Sequence, residues 1–101
     1  MNFDQIRQAQ QLKSKLDHAQ KELKKMQVET EAGKGAVIVV MNGEQKVLSI
    51  KIDPGLVDVN NTRQLEQLLL RALNDAQDKV GKAAAQSLKE VTGGLKIPGL
   101  F

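Results

Sequence analysis

Few residues in this chain have the chemistry for acid–base catalysis. His18 is the only histidine among 101 residues, and its neighbours place it on the polar side of a helix. Asp53 and Asp58 flank a Pro-Gly turn, where aspartate typically accepts hydrogen bonds from local backbone N–H groups. The segment GKG at 33–35 is too short for a phosphate-binding loop and opens a strand rather than a helix. We therefore expect no catalytic residues and no enzymatic activity.

Metal, cofactor and membrane functions are also disfavoured. The chain has no cysteine, which excludes disulfides and thiolate metal sites, and no other residue spacing suits a metal site. Its longest apolar run is far shorter than the roughly 20 residues of a membrane-spanning helix. The N-terminal residues lack the apolar region of a signal peptide. These features predict a cytoplasmic protein with no membrane association and no small-molecule substrate.

Basic side chains are concentrated in the first 26 residues, where six of them accompany three acidic ones. They are Arg7, Lys13, Lys15, Lys21, Lys24 and Lys25. Such residues often form only a solvated helix face, but a long basic helix also suits the phosphate backbone of a duplex. With Phe3 and Phe101 as the only aromatic residues, the chain lacks a platform for stacking unpaired bases. We therefore expect the protein to bind a polyanion, a nucleic-acid duplex, through these six side chains.

The segment that carries the basic residues reads as a long helix over about 3–25. Its apolar residues alternate steps of three and four along a heptad stripe, which Phe3 and Ile6 are expected to extend. The stripe comprises Ala9, Leu12, Leu16, Ala19, Leu23 and Met26. A second helix is predicted over about 62–92, since apolar residues recur there at helical spacing and Gly93-Gly94 follows.

Between the helices, the pattern predicts three strands over about 26–32, 36–41 and 46–52. The first alternates polar and apolar residues, and the second is a β-branched run typical of a strand covered on both faces. Asn42-Gly43 is the strongest short signal for a hairpin turn. We expect an α+β fold, a two-layer α-β(3)-α arrangement with a three-stranded antiparallel meander, in a single domain over 1–101.

Element lengths predict a dimer. A helix over 3–25 is about 35 Å long, whereas strands of six or seven residues span about 20–23 Å. The first helix must therefore overhang the sheet, and its apolar stripe and the second face of the central strand need cover. Association of two copies supplies that cover.

The arrangement resembles the YbaB/EbfC family of small bacterial nucleoid-associated, DNA-binding proteins. The resemblance is carried by MNGEQKVLSIKIDPGLV at 41–57, LLLRALNDAQDKV at 68–80 and GGLKIPGLF at 93–101, and it extends over essentially the whole chain. It implies an α-β(3)-α homodimer whose projecting helices grip duplex DNA, located at the nucleoid and without a cofactor.

Two questions stay open at this point. A protein-interaction adaptor that uses its coiled-coil-like helices and its apolar C-terminal tail is the alternative function. The tail itself, residues 93–101, either packs against the dimer body or serves as a hook for another protein.

Overall fold

The structure is a computed structural model and describes residues 2–92. It contains a helix, three strands, a short 3₁₀ turn at Pro54–Leu56 and a second helix. The main elements are α1 (Phe3–Lys25), β1 (Gln27–Ala32), β2 (Val37–Asn42), β3 (Val47–Ile52) and α2 (Thr62–Thr92). The strands form one antiparallel sheet in the order β1-β2-β3. The predicted α-β(3)-α fold with a three-stranded meander is confirmed, and the C-terminal tail lies outside the described residues.

The first hairpin turn depends on backbone conformations that favour glycine. Gly33, Lys34 and Gly35 all have positive φ angles, of 65°, 57° and 83°. The turn closes with a hydrogen bond from the Ala36 N–H to the Gly33 carbonyl at 3.2 Å. The GKG segment is therefore a connection between strands, and β2 begins two residues after it, at Val37.

The second hairpin differs from the two-residue turn that Asn42-Gly43 predicts. Asn42 is still part of β2, and its backbone N–H donates to the Lys46 carbonyl at 2.9 Å. The loop is therefore three residues long, and Gln45, with φ of 65°, supplies the left-handed residue that such loops require. The predicted hairpin is confirmed, and its connection is longer than the two-residue turn most often formed by an Asn-Gly pair. Gly43 has a different role, described below.

The core lies between α2 and the inner face of β1 and β2. Val37, Val39 and Met41 alternate along β2 and are almost fully buried, as are Ala72, Ala76 and Val80 of α2. The Thr30 hydroxyl of β1 is also buried and donates to the Ala72 carbonyl at 2.8 Å. Small residues on α2 let the helix approach the sheet closely, which packs the β-branched residues of β2 tightly.

The helix α1 does not lie on the sheet but packs beside the second half of α2. The apolar stripe at Leu16, Ala19 and Leu23 faces Ala84 and Leu88. The two helices run antiparallel and extend beyond the sheet, giving an elongated molecule of 69 × 21 × 18 Å. Part of the stripe that seemed to require a second copy is therefore covered by α2 of the same chain.

The predicted extension of this stripe to the N-terminus is wrong. Phe3 is 88% exposed and Ile6 is 41% exposed. Residues 3, 6, 9 and 12 are separated by three successive steps of three. Because each such step falls short of a 3.6-residue turn by about 60°, the N-terminal apolar side chains rotate away from the stripe.

Candidate nucleic-acid interface

The position of α1 is fixed at both ends and along one face. The Asn2 side chain caps the N-terminus by accepting a hydrogen bond from the Gln5 N–H at 3.0 Å. At the other end, the Gly43 N–H donates to the Leu23 carbonyl at 2.8 Å, which attaches the helix to the β2–β3 turn. Since Ala19 is buried against α2, the opposite face of α1 must point to solvent.

Five of the six predicted basic residues share this outward side. Lys13, Lys21 and Lys25 follow one another at multiples of four residues, and Lys24 adjoins Lys21 at a spacing of three. Arg7 precedes Lys25 by 18 residues, or five full turns, so the two side chains lie on one line along the helix. All five are exposed. The structure thus brings them together along nearly the full length of α1.

Lys15 is exposed but lies apart from the other five. It precedes Ala19 by four residues and is therefore on the side of α1 that approaches α2. There it lines a shallow depression together with Ser14, His18 and Glu90 of α2. Lys15 is therefore not part of the surface formed by the other five.

The outward side of α1 has a strong excess of uncompensated positive charge. Within residues 2–92, none of the six basic side chains forms an ion pair with a carboxylate. The ion pair on this helix joins His18 to Glu22, at 3.9 Å, on exposed side chains. Asp17, between Lys13 and Lys21, is the single acidic residue among the five outward cations. We define these five (Arg7, Lys13, Lys21, Lys24 and Lys25) as the basic face.

The edge formed by β1 and α2 has the opposite character. A shallow cleft of about 400 Å³ there is lined by four carboxylates and two ammonium groups, from Glu29, Glu31, Asp75, Asp78, Lys79 and Lys82. One ammonium, that of Lys79, donates to the Glu29 backbone carbonyl at 3.4 Å. Four carboxylates and two ammonium groups give this edge a net negative charge, opposite in sign to that of the basic face.

The residues considered for catalysis have structural roles or are solvated. The Asp53 carboxylate accepts a hydrogen bond from the Gly55 N–H at 3.0 Å, and that of Asp58 accepts one from the Asn60 N–H at 2.9 Å. Both are therefore turn-forming, as their sequence context indicates. Over the described part of the chain, no cluster of three or more potential ligands could hold a metal ion. None of the helices described is both long and apolar enough to cross a membrane.

Gly43 is the residue whose importance the sequence did not reveal. A Cβ atom at this position would lie 2.5 Å from the Leu23 carbonyl oxygen and 2.9 Å from the Leu23 Cα. Only glycine lets the turn approach the end of α1 this closely. The available signal was Met26, the single residue between α1 and β1, because so short a connection forces the helix end against the neighbouring hairpin.

Known proteins of similar sequence are consistently described as nucleoid-associated. A protein of Rhodospirillum rubrum with that description is 43% identical over 93 residues, which cover 92% of this chain and 87% of the relative. One from Chloroflexus aggregans is 45% identical over 102 aligned positions that span both chains completely. Among solved structures, the uncharacterized protein HP0035 of Helicobacter pylori superposes with a TM-score of 0.81 at 22% identity. That match covers 92% of this chain and 99% of the other, and it supports the fold.

The family model described as the YbaB/EbfC DNA-binding family matches residues 1–95. The match therefore includes both long helices, the whole sheet and the basic face. The sequence motifs, the α-β(3)-α fold and the nucleoid-associated relatives agree with this assignment. The chain belongs to the YbaB/EbfC DNA-binding family.

Proposed function

We propose that this protein is a homodimeric nucleoid-associated protein that binds duplex DNA without catalysis, through phosphate contacts from its α1 helices. The observation that carries the proposal is the basic face, five exposed cations on the side of α1 that points away from α2. Lys15 is a sixth exposed cation on the same helix, apart from these five. The protein would act in the cytoplasm, on the nucleoid, and would need no cofactor.

The dimensions of the basic face suit a duplex backbone. From Arg7 to Lys25 the helix rises about 27 Å, at 1.5 Å per residue. Each nucleotide advances the duplex by about 3.4 Å along its axis, so the basic face is as long as roughly eight base pairs of DNA. Lysine ammonium groups are compact charges on flexible stems, which suits phosphates at varied positions. Contacts of this kind give affinity and carry no sequence information.

An exposed apolar surface supports the homodimer. The register places Ile50 opposite the buried Val39, so both side chains point to the α2 side of the sheet. However, α2 packs over β1 and β2, and it leaves Leu48 44% and Ile50 45% exposed. Leu70 is 60% exposed as well, and it lies on the other side of α2 from the buried Ala72, so it is a separate apolar position. A second copy that covers this surface would bury the apolar area that the single chain leaves in water.

The dimer can be tested by charging this surface. Leu48→Lys combined with Ile50→Lys should convert a species of twice the chain mass into one of single mass in light scattering. Folding should survive because both side chains are already nearly half exposed in one chain. Ser49→Lys, on the opposite face of the same strand, is the matched control and should remain dimeric. A wild-type protein with the mass of one chain at micromolar concentration would exclude the homodimer.

DNA binding can be tested by removing charge without disturbing the helix. Glutamine retains helix propensity close to that of lysine, so Lys21, Lys24 and Lys25 can be changed together to Gln. The variant should bind every duplex sequence more weakly, by a similar factor. Lys34→Gln with Lys46→Gln, in the hairpin turns, is the control and should bind nearly as wild type. Loss of binding in the control alone would place the DNA on the sheet turns.

The adaptor alternative makes a different prediction. If wild type binds no duplex at low salt but captures a protein in a salt-insensitive manner, the helices serve protein contacts instead. Apolar contacts are insensitive to salt screening, whereas lysine–phosphate contacts weaken as salt rises.

A further inference from the structure

An apolar groove runs along one flank of the contact between α1 and α2. It has a volume of about 340 Å³, and its walls are mainly Leu16, Ala19, Leu23, Ala84 and Leu88. Leu88 remains 40% exposed at the end nearest the C-terminus of α2. The groove continues the packing between the two helices, since Ala19, on its floor, is buried between them. The groove therefore lacks an apolar occupant within the described residues.

The chain that follows α2 starts close to this groove. Leu88 precedes the last helical residue, Thr92, by four residues, or about 6 Å along the axis. Ala84 lies about 6 Å further back. The nine residues from 93 to 101 can span up to about 30 Å when extended, so they can turn back and reach the whole groove.

The sequence of residues 93–101 has the two properties required to fill the groove, a point of chain reversal and several apolar side chains. Gly93 and Gly94 give the backbone the left-handed conformations with which a helix can end and reverse. Pro98 prevents the segment from continuing the helix. The following residues supply four apolar side chains, Leu95, Ile97, Leu100 and Phe101, and one charge, on Lys96.

We propose that residues 95–101 fold back from the glycine pair and pack their apolar side chains into the α1–α2 groove of the same chain. The occupied groove holds α1 against α2 over Leu16–Leu23, the part of the helix that bears Lys21 of the basic face and immediately precedes Lys24 and Lys25. A segment tethered beside its binding site reaches an effective local concentration in the millimolar range. This advantage favours the chain's own tail over the tail of a separate, unassociated copy.

Paramagnetic relaxation tests the proposal directly, because the chain has no cysteine and accepts a single label. Gly99→Cys carries a nitroxide in ¹⁵N-labelled full-length protein, with the reduced nitroxide as reference. Lys96→Cys provides a second label position. We expect selective broadening of the amides at Leu16–Leu23 and Ala84–Leu88, and no broadening at Thr62–Leu65, at the start of α2 and about 28 Å or more from Ala84 along the helix axis. Broadening elsewhere, or none above background, overturns the proposal.

A mixed sample separates the chain's own tail from that of a second copy. Spin-labelled chains without ¹⁵N are unfolded and refolded together with ¹⁵N-labelled wild type, so that any dimers are mixed. The proposal predicts no broadening at the groove in this sample. Broadening there shows that a second copy's tail occupies the groove and overturns the assignment to one chain.

Side-chain variants test the apolar contact. Leu100→Ser with Phe101→Ser, in the Gly99→Cys background, should abolish the broadening at the groove. Lys96→Ser is the matched control and should retain it. Equal broadening in both variants would show that the tail lies near the groove without packing into it, which overturns the proposed contact. None of these substitutions is in the basic face, so the result is independent of DNA binding.

Discussion

The close contact between Gly43 and the end of α1 predicts how much stability the protein loses when Gly43→Ala adds a single methyl group. In Gly43→Ala, the new Cβ would meet the Leu23 carbonyl oxygen at 2.5 Å. Ordinary carbon–oxygen contacts begin at about 3.3 Å, so the turn and the helix must separate by roughly 0.8 Å. Both groups belong to the backbone, and no side-chain rotation can relieve the contact. The 2.8 Å hydrogen bond between them is then lost or severely lengthened.

The expected cost follows from these two effects. Overpacking a tight site costs about 1–3 kcal/mol, and losing the hydrogen bond costs about 1 kcal/mol more. The reduced entropy of alanine in the unfolded chain returns about 0.4–1 kcal/mol. We expect a net loss of about 2–3 kcal/mol in the free energy of unfolding. At about 4–8 °C per kcal/mol for a domain of this size, Tm should fall by roughly 10–20 °C.

Gly81→Ala is the matched control. It makes the same chemical change in the middle of α2, where the new Cβ would have no atom within 4 Å. Alanine is better than glycine in a helix interior by about 1 kcal/mol, so this variant should have a higher Tm. Thermal unfolding followed by circular dichroism measures both. A Gly43→Ala protein as stable as wild type would show that α1 is not seated against this turn.

Two further substitutions test the core and its buried hydroxyl. Thr30→Val removes the hydroxyl that donates to the Ala72 carbonyl, and it should lower the free energy of unfolding, measured by urea titration, by about 1 kcal/mol. An unchanged free energy of unfolding would show that this hydrogen bond does not stabilise the fold. Met41→Ala should cost about 2–5 kcal/mol, because Met41 is 1% exposed and its truncation leaves a cavity. A cost below 1 kcal/mol would show that the site collapses or is not packed as described. Lys51→Ala, on the exposed edge strand, is the control for both and should change stability little.

The sequence predicted the fold because local signals agreed with one another. The heptad stripe, the alternating and β-branched strands and the glycine-containing connections each favoured the element that is observed. The interhelical contact was harder to predict, since periodicity shows that Leu16 and Leu23 need cover but not which surface covers them. The structure assigns that cover to the second half of α2.

The details that depend on distant residues could not be read from local patterns. Gly43 looked like a turn residue, yet its need for glycine comes from the approach of Leu23, twenty residues earlier. The pattern of β3 also does not show which strands α2 covers, and the lateral position of α2 over β1 and β2 leaves Ile50 exposed. For the basic residues, charge and helix propensity predicted exposure. Only the contact with α2 separated Lys15 from the basic face.

The central claim, phosphate binding by the basic face, is tested most directly by the salt dependence of duplex DNA affinity. If the dimer neutralises about six phosphates, log K against log salt should have a slope of roughly −5, from about −0.9 per phosphate. The variant with Lys21, Lys24 and Lys25 changed to Gln should give a clearly shallower slope, whereas the Lys34 and Lys46 control should reproduce the wild-type slope. A wild-type slope near zero, or an unchanged slope in the triple variant, would contradict the account.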